Sequence, residues 1–299
     1  MAPSTGIVLF AYNTPEINYV RLAIIAARYA TRAMPDHPVC LITDKNTWEH
    51  YTTYCAHNLT NDPFDQVVLT DATTSDNKRL HYDSPYTNFV SEFKNSNKHK
   101  VIEYTPYDRT LMIDIDYIMQ NDSLAYVFNS DESVVMFHAA ENLIGQAPAS
   151  PQQRLHPTGI DMLWSTVLYF DKHDHTTQMF FELWDHIQEN YNFYQFLYGF
   201  PSGMYRTDFC VSIATHILHG MADGNVIGKF TDKMINMSQR DNIIRLNTID
   251  EWVYLVNNNA EQWHNSLTMI ARENVHVMNK RALERHFDDI MLAFDEENV

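Results

Sequence analysis

Within the first 70 residues, short wholly apolar runs alternate with one long helical stretch, and few folds accept that rhythm. Residues 6–12 (GIVLFAY) read as a buried strand, closed by the turn signal Asn13-Thr14-Pro15. Residues 16–34 follow with Val20, Ile24 and Ala27 at helical spacing among many alanines. Residues 38–43 (PVCLIT) and 66–70 form the next strands. Wholly apolar strands joined through a helix predict an α/β protein with a mainly parallel central sheet flanked by helices.

The alternation continues. Strands are expected at 110–114, 133–138, 164–170, 252–256 and 274–278. Helices are expected at 174–198, with Phe180, Trp184 and Ile187 on one stripe, at 206–219 with Thr207 or Asp208 as N-cap, and from 280 to about 294. Residues 71–100 are polar and without a clear period, and read as loops with a short helix near 86–93. No repeat, low-complexity segment or linker divides the 299 residues, so one domain over 1–299 is expected.

Composition removes several function classes. The net charge of −17 disfavours a broad duplex-DNA saddle, though not a local basic groove. Cys40, Cys55 and Cys210 are odd in number and fit no ligand spacing, which suits a reducing compartment and argues against a disulfide scaffold or cysteine zinc site. The N-terminal apolar run is too short for a signal peptide, and no stretch matches a membrane helix, so a cytoplasmic protein without membrane contact is expected. Of eight glycines only Gly6 precedes Gly145. Neither a P-loop nor a G-x-G-x-x-G turn can exist in the first half, so any nucleotide phosphate must be held another way.

That other way is suggested by the stretch 107–118, YDRTLMIDIDYI, a buried strand running out into Asp114 and Asp116. In extended geometry residues i and i+2 share a face, and ligands of α/β sheets bind beyond the carboxyl ends of the strands. Two carboxylates there suit a hard divalent cation, manganese or magnesium, which would neutralise a diphosphate. On spacing alone the pair equally suits a solvated turn. His276, in the strand pattern V-H-V-M, falls on the face opposite its apolar neighbours.

Four segments carry a resemblance. They are Leu9-Phe10-Ala11-Tyr12-Asn13 followed by Tyr19; residues 100–116 ending in D-x-D; Trp164-Ser165-Thr166-Val167-Leu168-Tyr169-Phe170; and Val275-His276-Val277-Met278-Asn279-Lys280. In this order they resemble GT-A fold nucleotide-sugar glycosyltransferases, nearest to glycogenin-like and lipopolysaccharide galactosyltransferase-like enzymes and to glycosyltransferases of tailed bacteriophages. Of the family's H-x-x-G-x-x-K-P-W ending only His276 and Lys280 remain.

The resemblance implies a nucleotide-binding half over 1–120 and a sugar- and acceptor-binding half over 121–299. It implies that Asp116, Asp114 and His276 ligate the metal, with Asp114 also touching the ribose. Tyr12, Asn13 and Tyr19 would hold a uracil, and Ser165 would lie on a strand contacting donor sugar or acceptor. Lys280 would meet the β-phosphate, with a comparable role for Lys100; the ordinary alternative for both lysines is a solvated charge. Asp208 is the candidate catalytic or acceptor-orienting carboxylate, with helix capping as its alternative, and Arg206 beside it would bind phosphate or sugar.

The function expected is transfer of a sugar, hexosyl or pentosyl, from a UDP-sugar to an acceptor hydroxyl on a glycan, protein or modified DNA base. The resemblance implies retention of configuration. A narrower version places the acceptor on a hydroxymethylated pyrimidine of phage DNA in the host cytoplasm, with the lysine-containing segment 78–100 as groove. A non-catalytic nucleotide-sugar-binding protein is the alternative outside enzymes. A sugar nucleotidyltransferase would need a glycine- and arginine-rich loop where Asn13-Thr14-Pro15-Glu16 stands. A glycosidase would need its carboxylates further apart.

Overall fold

In a computed structural model, residues 4–59, 61–71, 77–147, 153–156, 159–201, 205–257 and 265–297 are described. The first strand, β1 (Thr5–Ala11), is buried along nearly its whole length and sits inside a seven-stranded sheet. Beside it on one side run β2 (Val39–Thr43) and β3 (Gln66–Leu69), and on the other β6 (Arg109–Ile113), all parallel. The helix α1 (Tyr19–Ala33) links β1 to β2; Asn18 caps it by accepting from the Arg21 amide at 3.3 Å, and Val20, Ile24 and Ala27 are buried as their spacing predicts. Beyond β6 the sheet continues through β10 (Trp164–Asp171), β8 (Val134–Phe137) and β11 (Gly228–Lys229).

The α/β architecture with a mostly parallel sheet is therefore the one expected, with β10 as its antiparallel member against both β6 and β8. That reversal matters for position. It brings the start of β10, with Ser165 and Thr166, to the carboxyl end of β6, where the Asp114 amide donates to the Thr166 carbonyl at 2.8 Å.

A second, four-stranded sheet joins β7 (Tyr117–Ile118), β16 (Val275–Val277), β12 (Met234–Met237) and β9 (Ala140–Asn142) in that order. Residues 242–271 form an antiparallel meander, β13 (Asn242–Thr248), β14 (Glu251–Asn257) and β15 (Asn265–Ala271), of which the apolar pattern indicates only the middle strand. It docks where the Tyr29 hydroxyl donates to the Ile249 carbonyl at 2.6 Å and Trp252 is buried. All three cysteines are free and buried. Among the described residues no helix is long and apolar enough to cross a membrane.

Three expected elements differ. No helix forms near 86–93; instead β4 (Lys78–Tyr82) and β5 (Asn88–Glu92) pair as a hairpin, with the Ser84 hydroxyl accepting from the Tyr86 and Thr87 amides in the turn. Leu80 and Val90 of this hairpin point to solvent while polar residues face inward, so hydrophobic periodicity could not reveal it. The helix 174–198 is two, α4 (His175–Glu189) and α5 (Tyr191–Tyr198), because the backbone leaves helical geometry at Asn190 (φ −109°, ψ 30°), whose amide and side chain both donate to the His186 carbonyl. The last helix likewise divides at His286 into α7 (Lys280–Arg285) and α8 (Phe287–Glu297). Of the aromatic stripe, Phe180, Phe181, Trp184 and Tyr194 are core, whereas Phe193 and Phe196 are exposed. The helix over 207–218 is α6 (Thr207–Leu218), with α2 (Lys45–His50) and α3 (Val101–Tyr104) as short turns earlier in the chain.

Gly6 shows how tightly β1 is enclosed. A Cβ built there would lie 2.4 Å from the ring of Tyr107, which packs flat against the strand at the entry to β6. Gly6→Ala therefore overpacks the sheet and is expected to lower stability by about 1–3 kcal/mol, read from urea denaturation. An unmoved midpoint would mean the Tyr107 ring can shift aside without loss.

Candidate metal centre and surrounding site

β6 ends at Ile113, and the two carboxylates that follow converge by a mechanism different from the one their spacing suggests. The chain turns at once, the Tyr117 amide donating to the Asp114 carbonyl at 2.9 Å. A four-residue turn, not the alternation of a strand, aims Asp114 and Asp116 at one point. Between them Ile115 is buried.

After the turn, β7 pairs with β16 antiparallel, placing His276 opposite Tyr117, and the Val277 amide donates to the Asp116 carbonyl at 2.7 Å. Donor atoms of Asp114, Asp116 and His276 thereby lie within 4.8 Å of one another, with His276 Nε2 3.5 Å from Asp116 Oδ2. Next to β16, β12 sets Asn236 directly across from His276, whose Nδ1–H donates to Asn236 Oδ1 at 3.0 Å. With Nδ1 carrying the proton, the lone pair of Nε2 faces the carboxylates. Two carboxylates and an imidazole held in that tautomer form a donor set that fits a divalent cation.

Asp116 is 2% exposed. Burial pushes its carboxyl up, but the Lys280 ammonium outweighs that and holds it well below the usual carboxylate range. Lys280, the first residue of α7, sits directly on Asp116 Oδ2. Burial works against its charge, and Asp116 more than restores it. The helix start is secured by Asn279, which accepts from the Ala282 amide at 3.0 Å and donates to the Asp241 carbonyl at 2.8 Å.

The lysine that reaches Asp114 is Lys98, not Lys100. Lys98 Nζ donates to Asp114 Oδ1 at 2.7 Å and to the Ser165 carbonyl at 2.6 Å, at the end of the turn 95–100. Two residues separate the sequence candidate from the residue in place, because in this tight turn neighbouring side chains diverge by roughly a third of a revolution. Ser165 then passes the network on: its amide and hydroxyl donate to Asp208 Oδ1 at 3.0 and 2.8 Å, and Arg206 holds Asp208 Oδ2 at 3.2 Å.

Asp208 is therefore no N-cap, and neither is Thr207. Arg206 stands at the cap position with no side-chain bond, and the Asp208 carboxylate is spent on β10. Burial raises the Asp208 carboxyl, but Arg206 and the Ser165 donors hold it below its ordinary value. The sequence loop ahead of it runs through Ser202 and Gly203, which lie outside the described residues.

Tyr12 and Asn13 both make hydrogen bonds within the fold. Tyr12 is buried, its hydroxyl on Thr70 Oγ1 at 3.0 Å, and burial pushes its pKa up to about 12. Asn13 Oδ1 accepts from the Val20 amide at 2.9 Å and its carbonyl from Lys94 at 2.8 Å, which shapes the β1–α1 turn. Tyr19 is the first residue of α1; burial raises its pKa, and the charges of Lys280 and Asp116 act on it. Next to this group, a cleft of about 400 Å³ opens at the carboxyl ends of β1 and β2, lined by Asn13, Glu16, Asn18, Asp44, Lys94 and Glu284 among others.

Sequence reasoning also missed Asn236 and Arg79. Asn236 lies in a short strand with no pattern of its own, and only the pairing of β12 with β16 connects it to His276. Arg79 lies on the hairpin. Segment 78–100, the proposed basic groove, turns Arg79, Lys94 and Lys98 inward to the Tyr205 carbonyl, the Asn13 carbonyl and Asp114.

No family model matches the chain, and no curated protein matches it. Among solved structures it is similar to the galactosyltransferase LgtC in complex with donor and acceptor sugar analogs, at 14% identity and a TM-score of 0.41 over 71% of this chain and 70% of that one. It is similar to the glycosyltransferase GlyE of Streptococcus pneumoniae at 12% identity and a TM-score of 0.41, covering 79% of this chain and 45% of that one. It is also similar to 4-diphosphocytidyl-2C-methyl-D-erythritol synthase of Anaerococcus prevotii, at 11% identity and a TM-score of 0.36 over 74% and 84% of the two chains.

His81, on the inner face of the hairpin, has its pKa lowered to about 4 by burial, and Lys280 and Arg79 lower it further. The unfolded chain takes up this proton near pH 6.5 and the folded one only near 4, so stability falls as pH drops through that window. The loss is on the order of 3 kcal/mol. Denaturation of the wild type from pH 7 to 4 is expected to show that slope, and His81→Gln to flatten it.

Proposed function

We propose that the protein is a divalent-metal-dependent glycosyltransferase that moves a sugar from a UDP-sugar to an acceptor hydroxyl. The observation that carries this is the convergence of Asp114, Asp116 and His276 at the carboxyl end of a central strand, with Asn236 fixing the imidazole tautomer. Asp114, Asp116 and His276 would hold manganese or magnesium, which supplies Lewis-acid charge against the donor diphosphate.

The remaining residues divide the donor between them. Lys280, already beside Asp116, presents its ammonium to the diphosphate as charge builds on the leaving oxygen. Tyr19 flanks the same region, and the adjoining cleft at the ends of β1 and β2 has room for the nucleoside. On the other side, Lys98, Ser165 and Asp208 form one hydrogen-bonded chain ending at Arg206, suited to gripping sugar hydroxyls. The acceptor oxygen bonds to the anomeric carbon, the bond from that carbon to the diphosphate oxygen breaks, and its electron pair leaves with UDP. The acceptor proton passes to the departing phosphate or to solvent. Transfer with retention follows the family resemblance. In this scheme residues 1–120 serve the nucleotide and 121–299 the sugar and acceptor.

Binding to the folded state alone raises stability by mass action. UDP at a hundredfold excess over its dissociation constant is expected to add about 2.7 kcal/mol, a rise of roughly 5–10 °C in melting temperature, only when manganese is present. GDP and CMP give less, and Asp116→Asn abolishes the shift. If no nucleotide moves the melt with or without manganese, the transferase reading fails. Asn236→Ala leaves all three ligands in place and is expected to weaken manganese binding about 10- to 100-fold, read by titration calorimetry.

A further inference from the structure

The β4–β5 hairpin is inverted relative to what an apolar core asks of a ribbon. Cross-strand register pairs Arg79 with Ser91 and His81 with Phe89, and the alternation of side chains puts Arg79 and His81 on one face. That polar face turns inward, while the apolar pair Leu80 and Val90 stands in solvent at 45% and 52% exposure. The inner face lies beside the start of α7, where Arg281, the neighbour of Lys280, stacks over the Phe89 ring, and the charges of Lys280 and Asp116 act on His81 from there.

The hairpin is strapped in that position from several sides. Asp83 takes Arg285 at 2.7 Å, Arg281 lies over the Phe89 ring at 3.8 Å, and Ser91 bridges Thr14 and Glu16, each at 3.0 Å. The Tyr82 amide donates to Gln239 Oε1 at 3.0 Å.

Charge pairing in the site leaves one group over. Lys280 pairs with Asp116, Lys98 with Asp114 and Arg206 with Asp208. The fourth cation, Arg79, has no carboxylate within ion-pair distance among the described residues. Its guanidinium stacks on the Phe93 ring at 3.4 Å and donates one hydrogen bond, to the Tyr205 carbonyl at 3.3 Å. Stacking orients the planar fork, and most of its five N–H donors stay uncommitted. Burial lowers the guanidinium pKa, and the groups acting on it are Asp208, Tyr19, Arg206 and Asp114. A half-buried cation with its fork prearranged and no carboxylate paired to it among the described residues is suited to receive an anion.

We propose that Arg79 is a hairpin-borne anchor for the terminal phosphate of the nucleoside diphosphate that departs when the sugar is transferred. The assignment rests on the donor-site reading above and adds to it a contact from outside the strand-end motif. The donor's charge lies on its diphosphate, whose oxygens match a guanidinium fork bidentately.

The test compares UDP with UMP, which lacks the terminal phosphate, by titration calorimetry in manganese for the wild type, Arg79→Gln and Arg79→Lys. Arg79→Gln is expected to weaken UDP about 10- to 100-fold while leaving UMP unchanged. Arg79→Lys, which keeps the charge but loses the fork, falls between. UDP with manganese should protect the hairpin turn 83–87 from proteolysis in the wild type but not in Arg79→Gln. The melting curve of each free variant reports whether it folds; should Arg79→Gln not fold, Arg79→Lys carries the comparison. Equal weakening of UDP and UMP, or none, overturns the role of Arg79 while leaving the donor site intact. A wild type that binds UDP no better than UMP in manganese overturns the donor-site reading and this proposal together.

Discussion

Asp116 is a carboxylate shut away from water at the seam between the seven-stranded sheet and the small second sheet. An ion there has lost its hydration, and only partners supplied by the fold can compensate. The partners come from far along the chain: His276 and Lys280 lie 160 and 164 residues later. The pairing of β7 with β16 delivers the first, and the start of α7, three residues after β16, delivers the second. The local arrangement of the second sheet, including Asn236 opposite His276, follows from meeting that one charge. Buried ion pairs are poor contributors to stability beside apolar packing of the same volume.

A second cluster grows from β10. Running against β6, this strand brings Ser165 to the same edge of the sheet, where its carbonyl accepts from Lys98 and its hydroxyl and amide donate to Asp208. Asp114 is the hinge between the two clusters, sharing Lys98 with one and its place in the donor set with the other. The two clusters are thus joined through one carboxylate.

How much of this was legible depended on whether the signal was local. The strand 110–114 with its two acids announces itself by an apolar run that stops in charge, and it lies where expected. The means of convergence was not legible, because a turn and an extended strand give the same letters I-D-I-D-Y. Lys98 and Lys100 flank one histidine, and only the handedness of the turn selects Lys98 for Asp114. Tyr12 and Asn13 occupy the expected place at the end of β1, yet Thr70 and the Val20 amide claim their polar atoms first. The hairpin 78–92 escaped because its period is real but inverted, with polar residues inside.

The sequence by itself determined the α/β class, the buried character of β1 and β6, the face of α1 that packs inward, and the candidacy of Asp114, Asp116, His276 and Asp208. All of these follow from short-range patterns: runs of apolar residues, helical spacing, and acids at a strand end. Tertiary structure decided the partners. That Asn236 orients His276, that Ser165 receives Lys98 and serves Asp208, and that Arg79 stacks on Phe93 and reaches the Tyr205 carbonyl depend on strand order and register. Contacts between residues a hundred or more positions apart leave no periodicity in one chain, so these were settled only when the sheets closed on each other.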